Sequence, residues 1–219
     1  MGGHVAGEVA ARIAVEVIEQ VIAETSDVDA TQSWPVPFDD ALSLDGNRLQ
    51  AAIHMANRRI GVAMGADDAL RGMATTAAAV LLSIDTPVVA HVGDSRVYLW
   101  REGQLRQLTD DHSWVGEQVR AGVMSESDAR RHPWRNVVTR AIAGGPDPDV
   151  DVASLDLAVG DRLLLCSDGL CAVVPHERLE AVFAEMRPLQ ETCDVLIAAA
   201  NDAGGPDNIT VLILQIDVG

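Results

Sequence analysis

Apolar residues near the start of the chain recur at helical spacing. One stripe repeats every fourth residue and predicts a helix over residues 5–24. A second stripe predicts a helix over residues 47–64. The segment between them, residues 25–45, holds two prolines and scattered aspartates, which favours a loop. The first stripe consists of Val5, Val9, Ile13, Val17 and Val21.

After residue 72 the pattern changes to short apolar runs separated by tight turns. Strands are predicted over residues 75–84, 87–92, 96–100 and 104–108, with a hairpin turn at residues 93–95. Consecutive short strands joined by tight turns predict an antiparallel meander. Charged short helices are then expected over residues 114–133, as a surface excursion beside a site.

The second half of the chain mixes strand and helix patterns. Strands are predicted over residues 136–142, 151–157, 163–166 and 209–216, and helices over residues 177–186 and 189–203. This order of elements predicts an α+β fold, with antiparallel sheets packed on each other and helices outside. We expect a single domain over residues 1–219.

The most informative stretch is Leu-Leu-Leu-Cys-Ser-Asp-Gly-Leu at residues 163–170. A buried strand ends there, at Ser167, and Asp168 follows. A carboxylate at the end of a buried strand is costly unless it is paired, and Gly169 allows the backbone to turn sharply and to approach a ligand closely. Asp207 stands in a second tight loop, just before the last strand. Two carboxylates held at strand–loop junctions could converge on a hard cation such as Mg²⁺ or Mn²⁺.

Each of these loops, taken alone, is also ordinary turn chemistry. The Gly-Gly-Pro-Asp sequence of residues 204–207 occurs a second time, at residues 144–147, where a polar stretch follows it. The metal interpretation therefore depends on several stretches in combination.

Composition narrows the classes of function. The chain has 219 residues, 48% of them hydrophobic, and a net charge of −17 with arginine as its only strongly basic residue type. Such a charge disfavours nucleic acid and anionic membranes, and it suits cations or basic partners, or simply solubility. No segment resembles a membrane span or a leader, and the three cysteines lack metal-site spacing, which favours a cytoplasmic protein.

Six short stretches, in this order, resemble the metal-dependent protein phosphatases of the PPM family, the type-2C class, in their compact bacterial form. Each stretch is weak alone, whereas the ordered combination is specific. The stretches are Met1-Gly2-Gly3-His4 with Ala6-Gly7-Glu8, Gly72-Met73-Ala74-Thr75-Thr76, Val92-Gly93-Asp94-Ser95-Arg96, Leu108-Thr109 with Asp111-His112-Ser113, Ser167-Asp168-Gly169-Leu170, and Gly205-Pro206-Asp207-Asn208-Ile209-Thr210.

The resemblance implies a β-sandwich flanked by helices on both faces, in four layers, and hydrolysis of phosphoserine and phosphothreonine on proteins. Two Mg²⁺ or Mn²⁺ ions, with a possible third, would activate a water that attacks phosphorus, and no protein nucleophile is implied. Phosphorylated proteins, made by serine/threonine kinases, would be the substrates. The oligomeric state does not follow from the sequence.

The resemblance also implies roles for individual residues. Asp168 and Asp207 match ligands of the two ions, and Asp94 matches a carboxylate at the third. Supporting positions are Ser167, Gly169 and Asn208, the last of which would orient the Asp207 loop. Residues 114–136 match the flap that faces substrate, with Trp114, Arg120 and Arg135.

The chain departs from the family at its start. The family has Asp-Gly directly before Met-Gly-Gly-His, and that aspartate bridges the two ions, whereas this chain begins at the methionine. Three explanations stay open. In the first, the start site is assigned too late or the chain is deliberately truncated, and the parent is active. In the second, the chain is a phosphatase-like binding or regulatory module without catalysis. In the third, the acidic loops bind Ca²⁺ structurally.

Overall fold

The computed structural model describes residues 4–27, 34–83 and 86–218, which divide into two compact units. Unit 1 comprises residues Met1–Gly93 and Arg140–Asp156, and unit 2 comprises Asp94–Thr139 and Leu157–Gly219. Each unit contains one antiparallel sheet and its own helices. The predicted α+β class, with antiparallel sheets and helices, is confirmed. The single domain over residues 1–219 stays a prediction.

Unit 1 is a pair of helices with a three-stranded sheet of order β1-β2-β5. The described part of the first apolar stripe is buried at Val21 and half-buried at Val9, Ile13 and Val17, whereas the second helix buries one apolar face. Ser43 caps the second helix by accepting a hydrogen bond from the Gly46 amide at 3.1 Å. Ala14, Ile53 and Ala90 lie in one buried cluster. The elements are α1 (His4–Glu24), α2 (Leu44–Ala66), β1 (Ala77–Leu81), β2 (Val88–Val92) and β5 (Asp151–Ser154).

Unit 2 has a four-stranded sheet of order β4-β3-β6-β7. β6 pairs on both edges, and Leu163 and Leu164 are fully buried, as an apolar run predicts for a central strand. Helices α6 and α7 cover this sheet through Phe183 and Leu196. The elements are β3 (Arg96–Arg101), β4 (Gln104–Gln107), α3 (Trp114–Arg120), α4 (Glu126–Ala129), β6 (Arg162–Cys166), α5 (Asp168–Cys171), α6 (His176–Ala184), α7 (Leu189–Asp202) and β7 (Val211–Gln215).

The hairpin expected at residues 93–95 is wrong. β2 pairs with β1 and β5, whereas β3 pairs with β4 and β6, so the two strands belong to different sheets. Gly93 does have a left-handed φ of +111°, and a Cβ there would lie 2.2 Å from the side chain of Thr76. The glycine thus marks a sharp turn and close packing within unit 1, but not strand pairing across the turn. The antiparallel pairing expected between the strands over residues 96–100 and 104–108 is confirmed, as β3 with β4.

The strand expected over residues 136–142 is also absent. Val138 forms an isolated bridge with Ser113, and Ile142 forms one with Thr75. Because the two ends of the segment bind different partners, no continuous ladder forms. The predicted short helices of the flap are confirmed as α3 and α4. Among residues 4–27, 34–83 and 86–218, no helix is long and apolar enough to cross a bilayer.

Candidate functional site

The loops that carry Asp168 and Asp207 are fastened to each other by Ser167. Its hydroxyl donates to the Asn208 carbonyl at 3.1 Å and accepts from the Thr210 amide at 3.0 Å. The Ser167 amide donates to the Thr210 carbonyl at 3.2 Å. Strand pairing of β6 with β7 therefore continues past the strand ends and brings the two carboxylate-bearing loops together.

Gly169 makes the approach of these loops possible. A Cβ at this position would lie 2.2 Å from the Asn208 carbonyl oxygen, a distance no side chain tolerates. The close approach is thus to the neighbouring backbone. Asn208 contributes through its main chain, whose amide donates to the Asp207 carboxylate at 2.7 Å, while the residue itself is exposed.

The pKa values of the candidate carboxylates are shifted by burial and by the negative charge of their neighbours. The pKa of Asp168 is raised, first by burial and then by the negative charge of Asp207. The pKa of Asp94 is raised to about 6 by burial, followed by repulsion from Asp168 and Asp111. Asp94 and Asp168 are half-buried, whereas Asp207 is exposed.

This donor set fits hard divalent cations. Carboxylate oxygens are the ligands that Mg²⁺ and Mn²⁺ prefer. Crowded, partly buried carboxylates with raised pKa values are stabilised when a cation offsets their repulsion.

Arg96 and Asp111 form the site's main ion pair, and sequence reasoning assigned no role to either. The Arg96 guanidinium donates two hydrogen bonds to the Asp111 carboxylate, each 2.7 Å long, and a third to the Tyr98 hydroxyl at 2.9 Å. Both residues stand in stretches that carry the family resemblance, which was the available signal. Arg96 thus compensates the negative charge of Asp111, whose carboxylate acts on Asp94.

A cavity of about 500 Å³ adjoins these carboxylates, and all the residues that line it belong to unit 2. Asp94, Asp111 and Asp168 contribute one part of the lining. The flap contributes Arg120 and Arg135, and α5 and α6 contribute Cys171 and His176.

The flap is held in place by polar and aromatic contacts within unit 2. Arg120 donates to the Asp111 carbonyl at 2.8 Å, so the end of α3 is tied to the segment before it. Trp114 stacks on His132 and meets Trp134 edge-on, each at 4.8 Å between ring centroids. Of the three flap residues predicted to face substrate, Arg120 and Arg135 line the cavity, and Trp114 lies in this aromatic cluster.

Serine and cysteine side chains near the carboxylates have structural partners. Ser113 caps α3 by accepting from the Gly116 amide at 3.1 Å, and Ser167 joins the two loops. The pKa of the Cys166 thiol is raised by its hydrogen bond with Cys171 and by burial, which makes it a poor nucleophile. The arrangement favours chemistry in which the protein positions charge and water rather than forming a covalent intermediate.

The repeated Gly-Gly-Pro-Asp loop belongs to unit 1 and is structural. Asn57 of α2 holds it by accepting from the Gly144 amide at 2.8 Å and donating to the Gly145 carbonyl at 2.9 Å. Asp147 pairs with Arg58 at 2.8 Å, and that hydrogen bond lowers its pKa. Residues 1–3 of the Met-Gly-Gly-His stretch lie outside the described residues.

Comparison with known proteins identifies the family. The family model described as protein phosphatase 2C matches residues 1–201. The chain belongs to the protein phosphatase 2C family. Among its relatives is the serine/threonine phosphatase Stp of Listeria monocytogenes, 38% identical over 221 residues, an alignment that covers all of this chain and 82% of that protein.

Solved structures of the family match the fold. The serine/threonine phosphatase PstP/Ppp of Mycobacterium tuberculosis superposes with a TM-score of 0.80 at 33% identity, covering 100% of this chain and 86% of that one. The catalytic domain of PstP in complex with two manganese ions matches with a TM-score of 0.75 at 32% identity, covering 99% and 85%. Both the fold and the family predicted from the sequence are confirmed.

Proposed function

We propose that this chain hydrolyses phosphoserine and phosphothreonine esters on proteins, with water as the nucleophile and Mg²⁺ or Mn²⁺ as cofactor. The observation that carries the proposal is the fastening of the Asp168 and Asp207 loops, with Asp94 electrostatically coupled to Asp168. Membership of the protein phosphatase 2C family and the manganese-bound relative support it.

We assign the candidate ligands as the sequence suggests. Asp168 and Asp207 would hold two ions, and Asp94 would hold a third. Bound there, the ions would supply positive charge for the phosphate dianion and Lewis-acid activation of water. Ser167, Gly169 and the Asn208 main chain fix the spacing of the two loops. The Arg96–Asp111 pair holds the neighbouring segment in place.

The flap would complete the substrate side of the site. Arg120 and Arg135 line the cavity next to the carboxylates, so a phosphoprotein segment would lie between the flap and the end of β6. Such a segment comes from proteins modified by serine/threonine kinases, and we place the reaction in the cytoplasm. The free thiols of Cys166, Cys171 and Cys193 support a reducing compartment.

Substitution of the candidate ligands tests the proposal. Asp168→Asn and Asp207→Asn should each lower Mn²⁺-dependent hydrolysis of a phosphothreonine peptide by about 100-fold or more, because each removes a charged ligand. Asp202→Asn, at the exposed end of α7, is the matched control and should keep full activity. Unchanged rates in either ligand variant would remove that residue from the site.

The same assay separates catalysis from the alternative of a binding or regulatory module. A folded wild-type chain without Mn²⁺-dependent turnover, yet able to bind the phosphopeptide, would support the module. Far-ultraviolet circular dichroism establishes that the chain is folded in each case.

A further inference from the structure

The flap differs in charge from the rest of the chain. Residues 114–136 hold four arginines against three carboxylates, whereas the whole chain carries a net charge of −17. Acidic peptides would be repelled by most of such a surface, so a locally basic segment beside the site offers the favourable place for them. The four arginines are Arg120, Arg130, Arg131 and Arg135.

These arginines differ in how far the protein already uses them. Arg120 donates to the Asp111 carbonyl at 2.8 Å. Arg130 makes a long ion pair with Glu126, at 3.9 Å. Among the described residues, no ion pair or side-chain hydrogen bond engages the Arg135 guanidinium. Arg130 and Arg135 both line the cavity and both are exposed, so each can bind an incoming anion.

We propose that Arg130 and Arg135 select phosphorylated segments with Asp or Glu residues flanking the phosphoresidue. This inference rests on the proposed function, because it places the phosphoresidue at the candidate ligands Asp94, Asp168 and Asp207 and its flanks along the flap. The planar guanidinium binds carboxylates through two parallel hydrogen bonds, which gives the contact both strength and orientation.

Glu126 opposes this selection. It lines the cavity and competes for Arg130. Removing its charge should therefore free Arg130 and strengthen the preference for acidic flanks. If Arg130 served only to pair with Glu126, the Glu126→Gln variant would show no such gain.

Two phosphothreonine peptides of equal length test the inference, one with Asp and Glu flanks and one with Asn and Gln at the same positions. The measured quantity is the ratio of kcat/KM for the acidic peptide to that for the neutral one, at low salt. Two exposed arginine–carboxylate contacts predict a wild-type ratio of about 3-fold to 10-fold. The ratio should approach 1 in Arg130→Gln/Arg135→Gln, should rise in Glu126→Gln, and should fall with added salt.

Arg131→Gln is the matched control. It removes the same charge from the adjacent position, but Arg130 rather than Arg131 contributes to the cavity lining. A wild-type ratio near 1, or an equal fall of the ratio in Arg131→Gln and the double variant, would overturn the inference.

Failure of the proposed function is recognised separately. A generic aryl phosphate has no flanking residues, so absence of its Mn²⁺-dependent hydrolysis by the wild type counts against catalysis alone. In that event the ratio of dissociation constants of the two peptides, measured by fluorescence anisotropy, decides the arginine assignment. An acidic preference that the double variant loses supports it, and equal affinities overturn it.

Discussion

The candidate ligands differ in their surroundings, residue by residue. Asp94 and Asp168 are half-buried and their pKa values are raised, whereas Asp207 is exposed on its loop. Burial makes the first two carboxylates costly to keep charged without a partner. A cation bound as proposed would offset that cost.

Gly169 is the residue at which the site leaves least room. Gly169→Ala should lower the free energy of unfolding by about 1–3 kcal/mol, because the new Cβ would push against the Asn208 carbonyl. Phosphatase activity should fall with it, since the two loops separate. Urea denaturation and Mn²⁺-dependent turnover measure the two effects. Gly65→Ala, in α2 with open space around it, is the control. Equal stability of the two variants would contradict the packing argument.

The surroundings of Asp161 should make the free energy of unfolding depend on pH. It is buried, it pairs with Arg101 at 2.6 Å, and it accepts from the Ala158 amide at 2.7 Å. The hydrogen bond from Arg101 lowers its pKa. A carboxyl whose pKa is lower in the folded state stabilises the fold above its unfolded pKa of about 3.9, and this contribution is lost as pH falls through the folded value.

Asp161→Asn should therefore be less stable than wild type at pH 7, by about 1–3 kcal/mol. The partial exposure of Arg101 moderates the effect through solvent screening. The difference should shrink below about pH 4, where the carboxyl of the unfolded chain becomes protonated, and should vanish as pH falls through the lower folded-state pKa. Urea denaturation between pH 3 and pH 7 measures it, with exposed Asp202→Asn as control. A difference that stays constant over this range would rule out the ionic explanation.

At the level of elements, periodicity and burial predicted what local sequence controls. α1 and α2 match their apolar stripes to within a few residues, and β6 is the buried central strand that its leucines indicate. The pairing of strands was harder to predict from the sequence. Turn residues at positions 93–95 specify a backbone conformation, but they do not choose between a hairpin and a strand that enters another sheet.

The site shows the same division. Residues 167–169 could be singled out because they end a buried strand. Residues 207–208 could be singled out because they lie in a tight loop just before the last strand. The Arg96–Asp111 pair links a strand to a loop fifteen positions away, so no local pattern marks it. Helix α5, only four residues long, is likewise too short for periodicity to reveal.

The fastening of the repeated loop to α2 is an element-scale contact that can be tested. Asn57 is buried and bonds both amides and carbonyls of residues 143–146, while a Cβ at Gly61 would lie 2.5 Å from the Gly144 oxygen. Asn57→Ala should lower the free energy of unfolding by about 2 kcal/mol, since several loop groups lose their partner.

Hydrogen exchange at the amides of Ala143 and Gly144 localises that effect, and both should exchange faster in Asn57→Ala. Arg59→Ala is the control. It also introduces an alanine into α2, two positions further along and at an exposed site, and leaves Asn57 and its bonds to the loop in place. If the two variants are equally stable, Asn57 does not anchor the loop.

At the scale of the whole molecule, burial of apolar residues stabilises each unit, whereas the net charge acts on the entire chain. Each unit has its own buried apolar cluster, but the net charge of −17 works against compactness through self-repulsion. Monovalent salt should relieve that repulsion throughout the chain. Divalent cations should stabilise the fold more than monovalent salt does, because they would also bind the candidate ligands. These ligands, Asp94, Asp168 and Asp207, all belong to unit 2.

Mn²⁺ should therefore raise the melting temperature beyond the rise produced by NaCl of equal ionic strength. Binding to the folded state alone contributes about 2.7 kcal/mol at a concentration one hundred times the dissociation constant. Differential scanning calorimetry measures the shift, and hydrogen exchange should show new protection at the Ser167 and Thr210 amides, which already bond across the two loops. Asp168→Asn and Asp207→Asn should abolish the excess over NaCl while leaving the response to NaCl intact. Equal stabilisation of wild type by the two salts would mean that the carboxylates gather counterions without forming a specific site.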